Sequence, residues 1–123
     1  MRTRHDFDFP QGLEVDLAPS ARIVKEPFFT CEGEGNQFVM GENALLGDLG
    51  RPKLEFIGNN NKFIMEENCH VMRGHYRLKG DNMTIRFGAK TTVNGAYFLC
   101  LEGASIELGQ DCMLSNDIEF RTS

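Results

Sequence analysis

Apolar residues recur with a period of two over short stretches of this chain, as in Ile106-Glu107-Leu108, which predicts strands rather than helices. The strands themselves recur. Four columns return five times each: Val15, Phe38, Phe63, Ile85 and Ile106; Leu17, Met40, Met65, Phe87 and Leu108; Ala21, Ala44, Cys69, Thr91 and Cys112; and Ile23, Leu46, Val71, Val93 and Leu114. The second column advances by 23, 25, 22 and 21 residues. A repeat of that length with nothing helical inside it predicts a solenoid. A third wall is predicted from Phe28 and Thr30, Leu54 and Phe56, Tyr76 and Leu78, Tyr97 and Leu99, and Ile118 and Phe120, so each coil should hold three short strands.

Corners between strands carry Gly, Asn and Asp, as in Gly33-Glu34-Gly35-Asn36, Gly58-Asn59-Asn60-Asn61 and Gly80-Asp81-Asn82. These residues tolerate positive φ, which a sharp turn needs. Gly47-Asp48-Leu49-Gly50-Arg51-Pro52 adds a surface loop to the second coil. One coil buries too few side chains to offset the entropy of ordering itself, so the coils should fold as a unit. The expected layout is a leader or cap over residues 1–12, with Phe7, Phe9 and Pro10 over the first coil, and a β-helix domain over residues 13–123, incomplete at its C-terminal end.

The corner-to-corner segment has a tighter grammar. Its copies are Leu17-Ala18-Pro19-Ser20-Ala21-Arg22, Met40-Gly41-Glu42-Asn43-Ala44-Leu45, Met65-Glu66-Glu67-Asn68-Cys69-His70, Phe87-Gly88-Ala89-Lys90-Thr91-Thr92 and Leu108-Gly109-Gln110-Asp111-Cys112-Met113. An apolar residue comes first, and a small one comes fifth, where only a small side chain fits the corner of a triangular core. This pattern resembles the hexapeptide-repeat acyltransferases over about Val15 to Ser123. The resemblance implies an all-β fold, a left-handed parallel β-helix of about five three-sided coils with a short N-terminal cap. The long coils, the Gly-Asn-Asn corners and the ending from Gly109 to Ser123 look most like the acetyltransferases that decorate surface or capsular polysaccharides.

By the same resemblance, acetyl-CoA is the co-substrate, a sugar or polysaccharide hydroxyl or amine is the acceptor, and a histidine is the general base. The family places that histidine just after the Arg-Thr-Ser segment, beyond Ser123. The chain therefore reads as the front portion of such an enzyme, inactive alone, with a non-catalytic structural or partner-binding β-solenoid as the alternative. His70, sixth in its hexad, and His75, in Arg73-Gly74-His75-Tyr76, are the candidate bases the sequence itself offers; His5 falls in the polar leader. Asn116, Asp117 and Arg121 are implied to lie beside the active cleft. Self-association is expected, either as the side-by-side trimer of the family or end to end through a bare last coil.

Composition narrows the remaining choices. A net charge of −5 with scattered basic residues argues against a nucleic-acid partner. The longest clearly apolar stretch, Ala96 to Leu101, is too short to span a bilayer, and the leader lacks the apolar core of a secretion signal, which suggests a cytoplasmic protein. Cys31, Cys69, Cys100 and Cys112 are widely spaced, without a Cys-x-x-Cys pair or a histidine at ligand spacing. They read as buried free thiols, and no metal is expected.

Overall fold

The structure, a computed structural model, describes residues 9–101 and 103–122. The proposed leader, including Phe7 and His5, lies outside the described residues up to residue 8. The first coil comprises β1 (Leu13–Leu17), β2 (Arg22–Ile23) and β3 (Phe28–Glu32); the second, β4 (Asn36–Met40), β5 (Leu45–Leu46) and β6 (Lys53–Ile57). The third comprises β7 (Lys62–Met65), β8 (His70–Val71) and β9 (His75–Lys79). The fourth holds β10 (Thr84–Phe87), β11 (Thr92–Val93) and β12 (Ala96–Leu101), and the fifth β13 (Ser105–Leu108), β14 (Met113–Leu114) and β15 (Ile118–Arg121). Each strand pairs in parallel with its counterpart one coil away, giving three five-stranded sheets. The architecture is a left-handed parallel β-helix of about five turns.

The repeating columns are the register. Val15 pairs with Phe38, Phe38 with Phe63, Phe63 with Ile85 and Ile85 with Ile106 on the first wall. On the second wall, Arg22, Leu45, His70, Thr92 and Met113 form one row and Ile23, Leu46, Val71, Val93 and Leu114 the next. Aromatic rings run the length of the interior. Phe9 packs on Phe29 (5.5 Å between centroids), Phe29 on Phe38 (5.6 Å), Phe38 on Phe63 (5.9 Å) and Phe63 on Phe87 (5.6 Å). Phe87 meets Phe98 (5.3 Å), which meets Phe120 (4.7 Å). Phe9 thus packs on rings of the first and second coils.

The third wall corrects the sequence reading in two coils. Phe29 and Cys31, not Phe28 and Thr30, pair with the inward Leu54 and Phe56. Phe98 and Cys100, not Tyr97 and Leu99, pair with Tyr76 and Leu78. Ile118 accordingly falls opposite Ala96, and Phe120 opposite Phe98. In the first coil, inward Phe29 joins the ring ladder, whereas Phe28 is 48% exposed beneath the guanidinium of Arg51 at 3.5 Å. The correction frees Tyr97 for the outer face.

Two backbone devices hold the corners. Asn36 donates from Nδ2 to the Gly58 carbonyl (3.0 Å) and accepts from the Asn61 amide (3.0 Å); Asn61 in turn donates to the Gly80 carbonyl (2.8 Å) and accepts from the Met83 amide (3.0 Å). Both asparagines are fully buried, so their side chains complete the hydrogen bonding of a bend that water cannot reach. Beside them, Gly33 and Gly58 take φ of 115° and 129°, and a Cβ on Gly58 would collide with the Gly80 carbonyl. The other device sits in the hexads. In four of the five hexads the fourth residue, Asn43, Asn68, Lys90 or Asp111, is left-handed, with φ between 56° and 63°.

Candidate functional site

The outer face of the third wall carries the densest polar chemistry. Because side chains alternate along a strand, β9 sends Tyr76 and Leu78 inward and His75 and Arg77 outward. Parallel register then stacks two outward rows: Phe28, Lys53, His75, Tyr97 and Glu119, and beside it Thr30, Glu55, Arg77, Leu99 and Arg121.

The centre of these rows is a connected network. Glu55 receives Nε of Arg77, and Arg77 Nη1 donates to the Tyr97 hydroxyl at 3.1 Å. His75 Nε2, shielded from solvent, lies 3.1 Å from Glu55 Oε2, within ion-pair distance when the imidazole is protonated. Burial disfavours the Glu55 carboxylate, yet the approach of His75 and the bond from Arg77 outweigh it and hold its pKa below the ordinary glutamate value. The His75 and Tyr97 rings meet edge to face, 5.1 Å apart and at 87°. Arg121 lies 5.3 Å from the Tyr97 centroid and bonds Glu119 at 3.1 Å.

Beside Tyr97 a groove of about 490 Å³ follows the corner between the second and third walls, lined by Arg73, Gly74, Gly95, Ala96, Tyr97, Asp117, Ile118 and Glu119. Its shape follows from two glycines. Gly74 has φ of 137°, and a Cβ there would meet the Tyr76 hydroxyl at 2.5 Å; that hydroxyl donates to the Arg73 carbonyl at 2.7 Å. Gly95 lies under Arg73, whose Nε would be 2.9 Å from a Cβ at that position. Arg73 can therefore cross the fourth coil and donate to Asn116 Oδ1 at 3.1 Å. Asp117 turns the next corner at φ 63°.

The sequence-derived candidates fall into separate places. Asp117 lines the groove, Asn116 anchors Arg73 at its edge, and Arg121 borders Tyr97. His75 belongs to the adjoining network and is not among the groove's lining residues. His70 stands apart on the outward row of the second wall, in a shallow depression of about 220 Å³ with Arg22, Asn43, Ala44, Leu45 and Asn68. Sequence reading missed Glu55, Arg77 and Tyr97. The clue available was the row Glu55, Arg77 on the polar phase of two strands; Tyr97 was hidden by the wrong inward phase.

The four cysteines are free thiols. Cys69 and Cys100 are buried, and burial pushes them up to about 12 and about 11. Cys31 and Cys112 are half-buried. Among the described residues no group of three or more His, Cys, Asp or Glu is arranged to hold a metal ion, and no helix is long and apolar enough to cross a membrane.

Stacked hexads, small fifth residues and an outward polar corner define a hexapeptide-repeat β-helix. The chain is 29% identical to the polysialic acid O-acetyltransferase of Neisseria meningitidis in an alignment covering 58% of this chain and 43% of that protein. It superposes on the crystal structure of the polySia-specific acetyltransferase NeuO with a TM-score of 0.52 and 26% identity, over 89% of this chain and 52% of that one. The chain thus spans about half the length of the relatives it matches. No family model matches it. Together the two matches support an O-acetyltransferase-like protein of the hexapeptide-repeat type.

Proposed function

We propose that this chain supplies the coil scaffold and acceptor groove of an acyl-CoA-dependent O-acetyltransferase acting on a polysaccharide hydroxyl. The observation that carries this reading is the superposition on NeuO over 89% of the chain, with the groove at Arg73, Gly95 and Asp117 built from three consecutive coils. In such a reaction the acceptor hydroxyl loses a proton to a base as its oxygen attacks the thioester carbonyl; the carbonyl carbon gains the ester bond and the coenzyme leaves as a thiol. A groove that fixes the acceptor raises the effective concentration of that hydroxyl.

The base is assigned to neither His70 nor His75. His70 faces outward on the second wall, away from the groove, and His75 turns Nε2 towards Glu55. The 123-residue chain alone should therefore release no coenzyme from acetyl-CoA in the presence of polysaccharide. The gene product carrying it should do so, with His70→Ala unchanged and His75→Ala within about threefold, below 1 kcal/mol. Loss of turnover with His75→Ala would place the base there. Failure of the gene product to use any saccharide would overturn the reading.

Self-association belongs to the same proposal. The outward row of the second wall ends in Met113, 77% exposed, and at the opposite end of the same wall Val24 is 45% exposed, apolar surface that a copy packed side by side would cover. A strictly monomeric mass by light scattering at high protein concentration would contradict it.

A further inference from the structure

We propose that Tyr97 and the groove beside it form a saccharide-binding platform that takes an uncharged hexose or N-acetylhexosamine chain rather than a polyanionic one. The inference rests on the reading that the acceptor is a polysaccharide, and it adds the acceptor's charge class.

The ring comes first. Tyr97 is half-buried on an open outer face, and its orientation is fixed from two sides: His75 braces it edge-on, and Arg77 holds its hydroxyl. A ring held in place loses little entropy when a ligand arrives. The weakly positive C–H face of a sugar ring stacks on the negative face of an aromatic ring. Arg121, which borders the ring, is exposed and tied only to exposed Glu119, so a saccharide displaces it at small cost.

Next to the ring, Gly74, Gly95 and Ala96 present almost no side chain, so a sugar can approach the backbone closely. The carboxylates of Asp117 and Glu119 line the same groove and are acceptors only, the partners that sugar hydroxyls need. Arg73 adds donors.

Charge decides the class. The groove is lined by one guanidinium, Arg73, against the carboxylates of Asp117 and Glu119, and Arg121 at its border is already paired with Glu119. The whole chain carries −5. A polyanion is attracted by a surface of net positive potential, which the lining of this groove lacks. The carboxylate of a sialic acid residue in the groove would meet Asp117 and Glu119 as like charges. The site thus departs from the polysialic acid that the relatives are named for.

The test is a titration of this chain, without acetyl-CoA, followed by amide chemical shifts. The probes are a panel of neutral hexose and N-acetylhexosamine tetrasaccharides and a sialic acid tetramer. At least one neutral tetramer should shift Gly95, Tyr97 and Asp117, with the sialic acid tetramer bound about tenfold more weakly or worse. Tyr97→Ala should weaken the neutral tetramer by about tenfold or more. Asp117→Asn, which tolerates the left-handed turn, should weaken the neutral ligand and improve the sialic acid tetramer. Equal or tighter binding of the sialic acid tetramer, no binding of any neutral tetramer, or unaltered binding by Tyr97→Ala would overturn the proposal. The two readings fail separately. Acetyl transfer by the gene product with an unchanged acceptor KM in Tyr97→Ala removes the platform and keeps the enzyme; saccharide bound at Tyr97 but never esterified does the reverse.

Discussion

Asn61 holds two coils at once, through its carbonyl on the Met83 amide and its amide on the Gly80 carbonyl. Replacing it with Leu leaves both buried backbone groups unpaired, at about 1–3 kcal/mol each. Asn61→Leu should therefore lower unfolding stability by about 2–4 kcal/mol in a denaturant titration. Lys90 is the opposite case, because it sits at φ 63° where its neighbours in the repeat are Asn43, Asn68 and Asp111. A residue with a long side chain is strained there, so Lys90→Asn should raise stability by about 0.5–1 kcal/mol. The fourth place of the hexad went unread as a left-handed position: Asn43, Asn68 and Asp111 suit it, but Lys90 breaks the pattern. The corner asparagines were read as turn formers. That Asn36 and Asn61 face inward is a fact of tertiary packing that the local sequence does not carry.

At the scale of the strand, a period of two gives face only when the two phases differ in polarity. The first wall satisfies this in β13, where Ile106 and Leu108 flank Glu107, and the predicted column is the observed register. Phe28-Phe29 and Ala96 to Leu101 offer apolar residues in both phases, and both were read one residue out. The fourth corner explains part of the slip: Cys31, Phe56 and Leu78 each precede the next first-wall residue by seven positions, whereas Cys100 precedes Ile106 by six. Ala104 stands at that corner in the place Asn36 and Asn61 hold in earlier ones, and its amide turns back to the Leu101 carbonyl at 3.3 Å. Because the platform stands on this strand, the slip hid Tyr97. The same wall sets a pH response. Glu55 is held below its ordinary pKa when folded, so its contribution is present above the unfolded value of about 4.3 and is lost as pH falls through the lower folded value. Glu55→Gln should cost about 1 kcal/mol at neutral pH and should flatten the acid limb of the stability curve; an unchanged acid limb would show that the network is not ionised as described.

For the whole molecule, the ring ladder from Phe9 to Phe120 makes the coils one cooperative body. Phe63 touches Phe38, Tyr76 and Phe87, spanning three coils. Phe63→Ala should cost about 3–5 kcal/mol, and amide exchange should quicken in all coils together rather than in the third alone. The solenoid was legible because five copies in register repeat the same physical requirement, and its handedness was implied by the resemblance of the hexads. Asn116, Asp117 and Arg121 were named through resemblance and His75 from its segment, whereas Glu55, Arg77 and Tyr97 were missed, since outward residues obey no packing rule that would repeat them. The most direct measurement is mass spectrometry of neutral and sialylated polysaccharides after incubation with the gene product and acetyl-CoA. Acetyl esters on a neutral saccharide, absent without acetyl-CoA and reduced by Tyr97→Ala, are the outcome the structure leads us to expect; unmodified saccharides throughout, or esters on sialic acid alone that persist in Tyr97→Ala, would contradict it.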